Sequence, residues 1–323
     1  MHSSKKIKLS INSVNDIVRC VNLASLLEIS GWPKPGNIHR TRNFIGTCFE
    51  HLLAGIAAIV PNYMEFCHRI HRECSNDYSN YSFIKLGKFF KETTKMMMKF
   101  QKGGNVLLGH ILLLTPLAAT ASICLHKKKK SLMDFKSELK KVIDESSVED
   151  TLNLYDAIRI CNPGGLGSVK KYDVNNKESI NEIKRNNINL KKIFNLSKEY
   201  DTISKEYSSY FDITLKQGLP YYFQVFADTM DINIATVNTF IYILSKHPDT
   251  LISRKTNRDK ARMVSEKALK IIREGGIKNQ KGIEMTKKFD NYLHRNDNLL
   301  NPGTTADLIA GVIFCALLFG LRF

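Results

Sequence analysis

The sequence predicts an all-α protein, a single globular multi-helix domain with buried central helices. Three observations carry this. Apolar residues recur at three- and four-residue spacings through most of the chain, alternating strand-like runs are scarce, and two long segments are apolar on every face. With 323 residues, 43% of them apolar, the chain can bury a substantial core. No repeat of fixed length is present. Residues 1–12 read as a basic N-terminal tail and 13–323 as the helical domain.

In the first helix Val14, Ile17, Val18 and Val21 fall at i, i+3, i+4 and i+7, with Ser13 as its cap and Asp16 as the acid of its first turn. The same period recurs around 44–60, 83–100, 132–143, 186–209, 233–246 and 259–273. Between the first two helices, Trp32-Pro-Lys-Pro-Gly-Asn-Ile-His-Arg40 forms a stiff connection, its prolines setting φ and Gly36 allowing the reversal. Lys34, His39 and Arg40 are then donors on a rigid loop, suited to a triphosphate, or solvated charges on a plain turn.

Glycine-rich turns adjoin the apolar helices. Lys102-Gly-Gly-Asn105 precedes the stretch Val106 to Leu125, and Asn162-Pro-Gly-Gly-Leu-Gly167 follows the helical pattern Leu152, Leu154, Tyr155, Ile158. Asn301-Pro-Gly-Thr-Thr-Ala-Asp307 precedes the run to Leu321, with Thr304 or Thr305 as cap and Asp307 at capping-box spacing from Thr304. Glycine lets backbone amides approach a ligand, and amides at a helix start bind anions. No Walker A or dinucleotide-binding spacing is present. Both apolar segments are at or below the ~20 residues that cross a bilayer, and both start in polar glycine turns, so they are expected in a protein core and not in a membrane.

The net charge of +17, from 48 Lys+Arg against 31 Asp+Glu, favours polyanionic ligands. Nucleic acid is not the expected main partner: apart from Lys127 to Lys130 the basic residues are scattered, and no zinc-finger or RNA-recognition motif appears. The seven cysteines form no Cys-x-x-Cys pair and read as buried, reduced thiols. The residues after Met1 are polar, with no apolar signal core, which gives the expectation of a cytoplasmic protein.

In His247-Pro-Asp-Thr-Leu-Ile-Ser-Arg-Lys255, Asp249 and Thr250 follow a helix, and Arg254 and Lys255 come four to five residues later. A carboxylate for a cation and a guanidinium for phosphate then share one segment, since Mg²⁺ is usually held by one or two carboxylates plus substrate phosphates. The plainer alternative is that Asp249 caps the next helix and pairs with Arg254. His51, His110 and His294 match no zinc spacing and read as structural, and no serine sits in a G-x-S-x-G turn. Tyr200, Asp201, Tyr207 and Tyr210, on a helix over 191–211, line a base or pantetheine pocket or pack as an amphipathic surface.

Taken in order, Lys34-Pro-Gly-Asn-Ile-His-Arg40, Gly104-Asn105 with Leu108-Gly109, Asn162-Pro-Gly-Gly165, Pro248-Asp-Thr-Leu251 with Arg254, and Asn301-Pro-Gly-Thr-Thr-Ala-Asp307 resemble the triphosphoribosyl-dephospho-CoA synthase family. The resemblance is to its archaeal-type branch and spans roughly residues 20–320. It implies an all-helical transferase that joins ATP to 3′-dephospho-CoA and releases adenine. The implied partners are ATP and a phosphorylated nucleotide or coenzyme acceptor, with Mg²⁺ as cofactor and a homodimer as an allowed assembly.

Carried over by position, the resemblance implies that Lys34, Arg40 and Arg254 clamp phosphates and that Asn105 orients substrate. Asp249 and Asp307 hold Mg²⁺ or act on the acceptor hydroxyl, converging with Arg254 in one cleft. The Gly303-Thr304-Thr305 helix start keeps its anion-binding amides. Gly36, His39, Gly104, Asn162, Gly164, Gly165, Thr250, Lys255 and Asn301 complete the expected substrate-binding set. Lyase-associated members carry Asn-Thr-His-Lys-Gly where this chain has Asn105-Val-Leu-Leu-Gly109, and an Arg-Gly-Gly where it has Arg254-Lys-Thr. Their His-x-Asp-Met segment has no counterpart in Thr41-Arg-Asn-Phe-Ile45. Two further readings stand beside this one: a non-catalytic nucleotide- or coenzyme-binding protein of the same fold, and a basic helical nucleic-acid binder.

Overall fold

The computed structural model describes residues 7–76, 80–296 and 298–323, and among these the regular structure is helical, with three isolated bridges and no strand. Two helices form the centre: α4 (Leu108–His126) and α15 (Gly303–Leu318), each buried on nearly every face, as their uninterrupted apolar sequences require. They pack against each other and against α1 (Val14–Ser30). By length and composition α4 could cross a membrane, but 89% of that window is buried inside the protein. Its few polar side chains bond within the helix: Thr115, Thr120 and Ser122 donate to the carbonyls of Ile111, Pro116 and Ala118.

Ser13 caps α1 in a full capping box, its Oγ accepting from the Asp16 amide at 3.2 Å while Asp16 Oδ2 accepts from the Ser13 amide at 3.0 Å. The segment before it is not free along its length. Residues 1–6 of the expected tail lie outside the described residues, whereas Leu9 and Ile11 are buried and the Leu9 and Ser10 amides bond to Lys130 and Leu318. The second helix, α2 (Phe49–Glu73), begins five residues later than the periodicity suggests, because residues 39–47 form two small bridged turns, His39 with Arg42 and Phe44 with Thr47.

Next come α3 (Leu86–Phe100), α5 (Leu132–Asp144) and α6 (Val148–Cys161), with α3 and α6 in close contact at Gly87. A Cβ on Gly87 would lie 2.1 Å from the Asp150 carbonyl oxygen. The Lys127–Lys130 run is partly spent on a buried acid: Lys127 and Lys129 both face Glu138 of α5. After α7 (Glu178–Arg185), the single helix expected over 186–209 is two, α8 (Leu190–Ser197) and α9 (Thr202–Ser209). Asp201 is the reason for the break, since its carboxylate caps α9 through the amide and hydroxyl of Ser204. The chain closes with α10 (Leu219–Thr229), α11 (Ile232–Lys246), α12 (Thr250–Lys255), α13 (Arg258–Arg273) and α14 (Gln280–Leu293) before α15. All seven cysteines are unbridged, five of them buried.

Between α9 and α10 a π-helical turn, Ile213–Gly218, packs so tightly on α15 that a Cβ on Gly218 would meet Val312 at 2.3 Å. Glu206 anchors this turn. Fully buried, it accepts from the Thr214 amide at 2.7 Å and hydroxyl at 3.0 Å, and its other oxygen has no partner among the described residues. Burial pushes its carboxyl up to about 8. A carboxyl raised in the folded state stabilises fully below its unfolded value, and that contribution drains away as pH rises toward 8. Glu206→Gln keeps an acceptor for Thr214 and removes the titration. Its stability relative to the parent should therefore grow between pH 5 and pH 8, by at most about 1.4 kcal/mol per pH unit, and level off above. Denaturant melts at pH 5, 7 and 8.5 measure this.

Candidate active site

The first turns of α4 and α15 meet at a cavity of about 880 Å³, closed on its other sides by the loop after α6, the α8–α9 break and the end of α12. Asp307, one turn into α15, lines it with its side chain 23% exposed. Its carboxylate rests on the backbone of Gly109, where an added Cβ would come within 1.9 Å of Oδ2, so residue 109 has no room for a side chain. Burial pushes the Asp307 carboxyl up to about 7; His110 and Arg254 oppose the rise, while the carboxylates of Glu28 and Asp249 add to it. No described residue donates a hydrogen bond to it, and its nearest cation-forming neighbour is His110 Nε2 at 3.8 Å from Oδ1.

Asp249 differs from its expected role. It is buried, and its carboxylate accepts four bonds: from the Leu251 and Ile252 amides at 2.8 and 3.2 Å, and from the Thr305 amide and hydroxyl at 2.7 Å each. Those bonds use every lone-pair direction of the group, leaving none for Mg²⁺ or a substrate hydroxyl. One carboxylate thus caps two helices, α12 and α15. The Thr305 amide, expected to bind a ligand anion, already holds this one, and neither Thr304 nor Asp307 caps α15. Thr250 is likewise turned inward, between the Thr202 amide and Thr304 Oγ1.

The Lys-Pro-Gly loop is also spent internally. Lys34, expected as a phosphate clamp, is fully buried and paired with Glu28 of α1, its Nζ donating also to the Glu28 carbonyl at 2.9 Å. Burial would raise the Glu28 carboxyl, but Lys34 and His110 outweigh it and hold the group below its ordinary range. His39 is buried against Asp290 at 3.4 Å, and the Gly36 amide donates to the same carboxylate at 2.8 Å. Burial works to raise Asp290, yet the bonds from His294, His39 and Gly36 keep it well below the usual carboxylate range. Arg40 bonds to Asn233 at 3.1 Å, away from the cavity. The loop reaches the cavity instead through Asn37, which donates to Asn301 at 2.9 Å.

The remaining expected residues do converge. Gly104, Asn105, Asn301, Gly303 and Thr304 line the cavity beside Asp307, Asn105 accepting from the Leu108 amide at 3.1 Å to start α4. Asn162, Gly164 and Gly165 also line the cavity; Gly164 lies against Lys255 and Gly165 against Arg254, close enough that a Cβ on Gly165 would sit 3.0 Å from the Arg254 side chain. Gly165 has φ +77°, a left-handed conformation that glycine adopts without strain. A turn closes over Gly164 and Gly165, and the amides of residues 164, 165, 167 and 168 have no acceptor among the described residues. Arg254 gives one N–H to Asp201 at 3.1 Å, and Lys255, its affinity for a proton lowered by burial, reaches Asn298 at 3.4 Å.

Sequence reasoning gave no site role to Glu28, Asn37, Lys171 and Asn298 and read His110 as structural, though all line the cavity, and it left Tyr200 and Asp201 undecided; both line it. Tyr207 is core, donating to the Leu112 carbonyl, and Tyr210 turns to Asp144. A signal for Glu28 existed: it lies seven residues after Val21 on the apolar stripe of α1, where a charge requires a partner. Magnesium fits these residues poorly as a resident ion. Asp249 is saturated, and among the described residues no group of three or more His, Cys, Asp or Glu is placed to hold a metal.

The fold is all-helical, and one cavity brings Arg254, Lys255 and the glycine-rich turn after α6 together with the partly shielded carboxylate of Asp307. The chain belongs to the CitG family, ATP:dephospho-CoA triphosphoribosyl transferase, which it matches over residues 14–322. Among curated relatives it is 26% identical over 107 residues to the probable 2-(5′′-triphosphoribosyl)-3′-dephosphocoenzyme-A synthase of Citrobacter koseri, covering 33% of this chain and 34% of the relative. It is 27% identical over 94 residues to the synthase of that name from Klebsiella pneumoniae, covering 29% and 30%, and 31% identical over 106 residues to that of Escherichia fergusonii, covering 32% and 34%. These matches thus span about a third of each relative's length. No solved structure matches the chain.

The two aspartates should separate in stability measurements. Asp249→Asn turns an acceptor into a donor against amides that need an acceptor, and should cost about 2–4 kcal/mol. Asp307→Asn removes a carboxyl whose raised value makes the fold lose stability between pH 4 and 7, and should stabilise the protein at pH 8, on the order of 1–3 kcal/mol, but not at pH 4. Thermal melts of both variants at the two pH values give the comparison.

Proposed function

We propose that this chain is a transferase that moves the triphosphoribosyl group of ATP onto a hydroxyl of a 3′-dephospho-CoA-like acceptor and releases adenine. The observation that carries the reading is the placement of Asp307 in one cavity with Arg254, Lys255 and the glycine amides of residues 164–167 in a member of this family. The cations and amides would receive the triphosphate, whose negative charge they complement. Held there, the ATP ribose lies within reach of Asp307.

In the proposed step the acceptor hydroxyl gives its proton to Asp307 as its oxygen bonds to the anomeric carbon. The bond from that carbon to adenine breaks with its electron pair passing to the base, and the proton taken up by Asp307 passes on, directly or through water, to the departing adenine, which returns Asp307 to its carboxylate. A carboxyl raised to about 7 suits this work near neutral pH, since a general base acts best with a value near that of its surroundings. Fixing both substrates against one wall supplies the positional part of the rate enhancement. Mg²⁺ enters this scheme with ATP, as the ion that accompanies its phosphates, and supplies charge neutralisation there.

The purified protein incubated with ATP, Mg²⁺ and 3′-dephospho-CoA should release free adenine and form the matching adduct, followed by chromatography and mass spectrometry. Asp307→Asn should lower the rate by about 100-fold or more while ATP still binds. ATP binding with no adenine released by the parent protein with any acceptor would refute the proposed transfer.

A further inference from the structure

We propose that His110 is a positioning residue that holds the Asp307 carboxylate toward the cavity, fixed in turn by the buried Glu28–Lys34 pair; this rests on the proposed role of Asp307. The imidazole is 3% exposed, on the second residue after Leu108 in the first turn of α4. Its Nε2 faces two carboxylates, Glu28 Oε2 at 3.4 Å and Asp307 Oδ1 at 3.8 Å. Its Nδ1 is closed off from solvent and has no partner among the described residues. A proton on Nδ1 would be stranded there, so the ring keeps its N–H on Nε2, where the acceptors are.

The other groups of the column leave that arrangement little freedom. Lys34 engages Glu28 Oε1 and also donates to the Glu28 carbonyl at 2.9 Å, which fixes the carboxylate and points Oε2 at the ring. Asp307 accepts no hydrogen bond among the described residues, and His110 Nε2 is the nearest group able to donate one; take it away and only the Gly109 backbone borders the carboxylate on one side. Its torsion angles would then be free to turn the carboxylate across the cavity mouth. The 3.8 Å separation is longer than a hydrogen bond, as acid–base contacts often are before substrate binds, and the one Nε2–H lies nearer Glu28 Oε2 at 3.4 Å, so the proposed hold on Asp307 requires that N–H to swing toward Oδ1 when substrate binds.

The tests are a tautomer measurement and a pair of substitutions. In ¹⁵N-histidine-labelled protein, the His110 ring should give the Nε2–H pattern, and its signals should move in Asp307→Asn and in Glu28→Gln. In the transferase assay, His110→Leu should lower kcat by about tenfold or more with KM for ATP within about twofold of the parent. His110→Gln, whose amide can donate from nearly the same place, should recover most of that loss. Unchanged kcat in His110→Leu, or equal losses in the Leu and Gln variants, would overturn the proposal. If the parent protein releases no adenine, the proposed activity fails on its own, and the spectrum decides here: an Nδ1–H ring, or signals indifferent to Asp307→Asn, sinks the assignment.

Discussion

The joint on which the site depends is the carboxylate of Asp249. Burying a charge is costly unless it is fully bonded, and here four donors from two helices satisfy it, two of them on Thr305, 56 residues along the chain. The pairing draws α12 onto the start of α15, where Leu251 packs so closely on Gly303 that a Cβ there would meet it at 2.7 Å. Arg254 and Asp307, two residues beyond Thr305, are then both brought to the wall of one cavity. An anion-binding helix start does exist on α15, as its turn chemistry suggests, but the anion is part of the chain.

A second buried charge organises the other side. Lys34 and Glu28 lie within the core, and such pairs add little net stability because desolvation consumes most of the attraction. Breaking one is another matter, since it strands its partner. The pair ties the 31–48 loop to the end of α1, and Asp290 does the same from α14 by holding the Gly36 amide and the His39 ring. The loop is therefore rigid through internal ion pairs, and its contribution to the cavity wall is Asn37, Ile38, Phe44 and Thr47 and not its cations.

Helices were legible in this sequence because their causes are local. The Ser13–Asp16 box, the stripe of α1 and the all-round apolarity of α4 and α15 each follow from spacing alone. The roles of single ions were not. A lysine in a proline–glycine turn is the same letter whether it meets a phosphate or a glutamate six residues earlier, and only the return of the loop over α1 decides. Asp249 and Asp307 likewise look alike in sequence; one faces two helix starts and is consumed, the other faces a glycine and is left available. The break at residues 198–201 was hidden because periodicity continues across it, and a capping aspartate such as Asp201 leaves no mark on the apolar pattern. His110 lacked any spacing signal, since its partners come from α1 and α15.

Charge within the cavity is arranged by depth, which the net value of +17 does not convey. Arg254 is 30% exposed at the side chain and Lys171 is exposed, whereas Glu28 and His110 are 2% and 3% exposed, with Asp307 between them at 23%. The cations therefore sit in the more exposed part of the cavity and Glu28 and His110 in its buried part, with the Asp307 carboxyl, pushed up to about 7 by burial, between them. In the proposed reaction, phosphates would be held in the exposed part while a neutral sugar or hydroxyl reaches Asp307. A ligand with its charge at one end and its reacting carbon at the other is oriented by this gradient before any specific contact forms. For the proposed transfer between two phosphorylated substrates, this ordering would keep their charges at the rim while their ribose groups meet at Asp307.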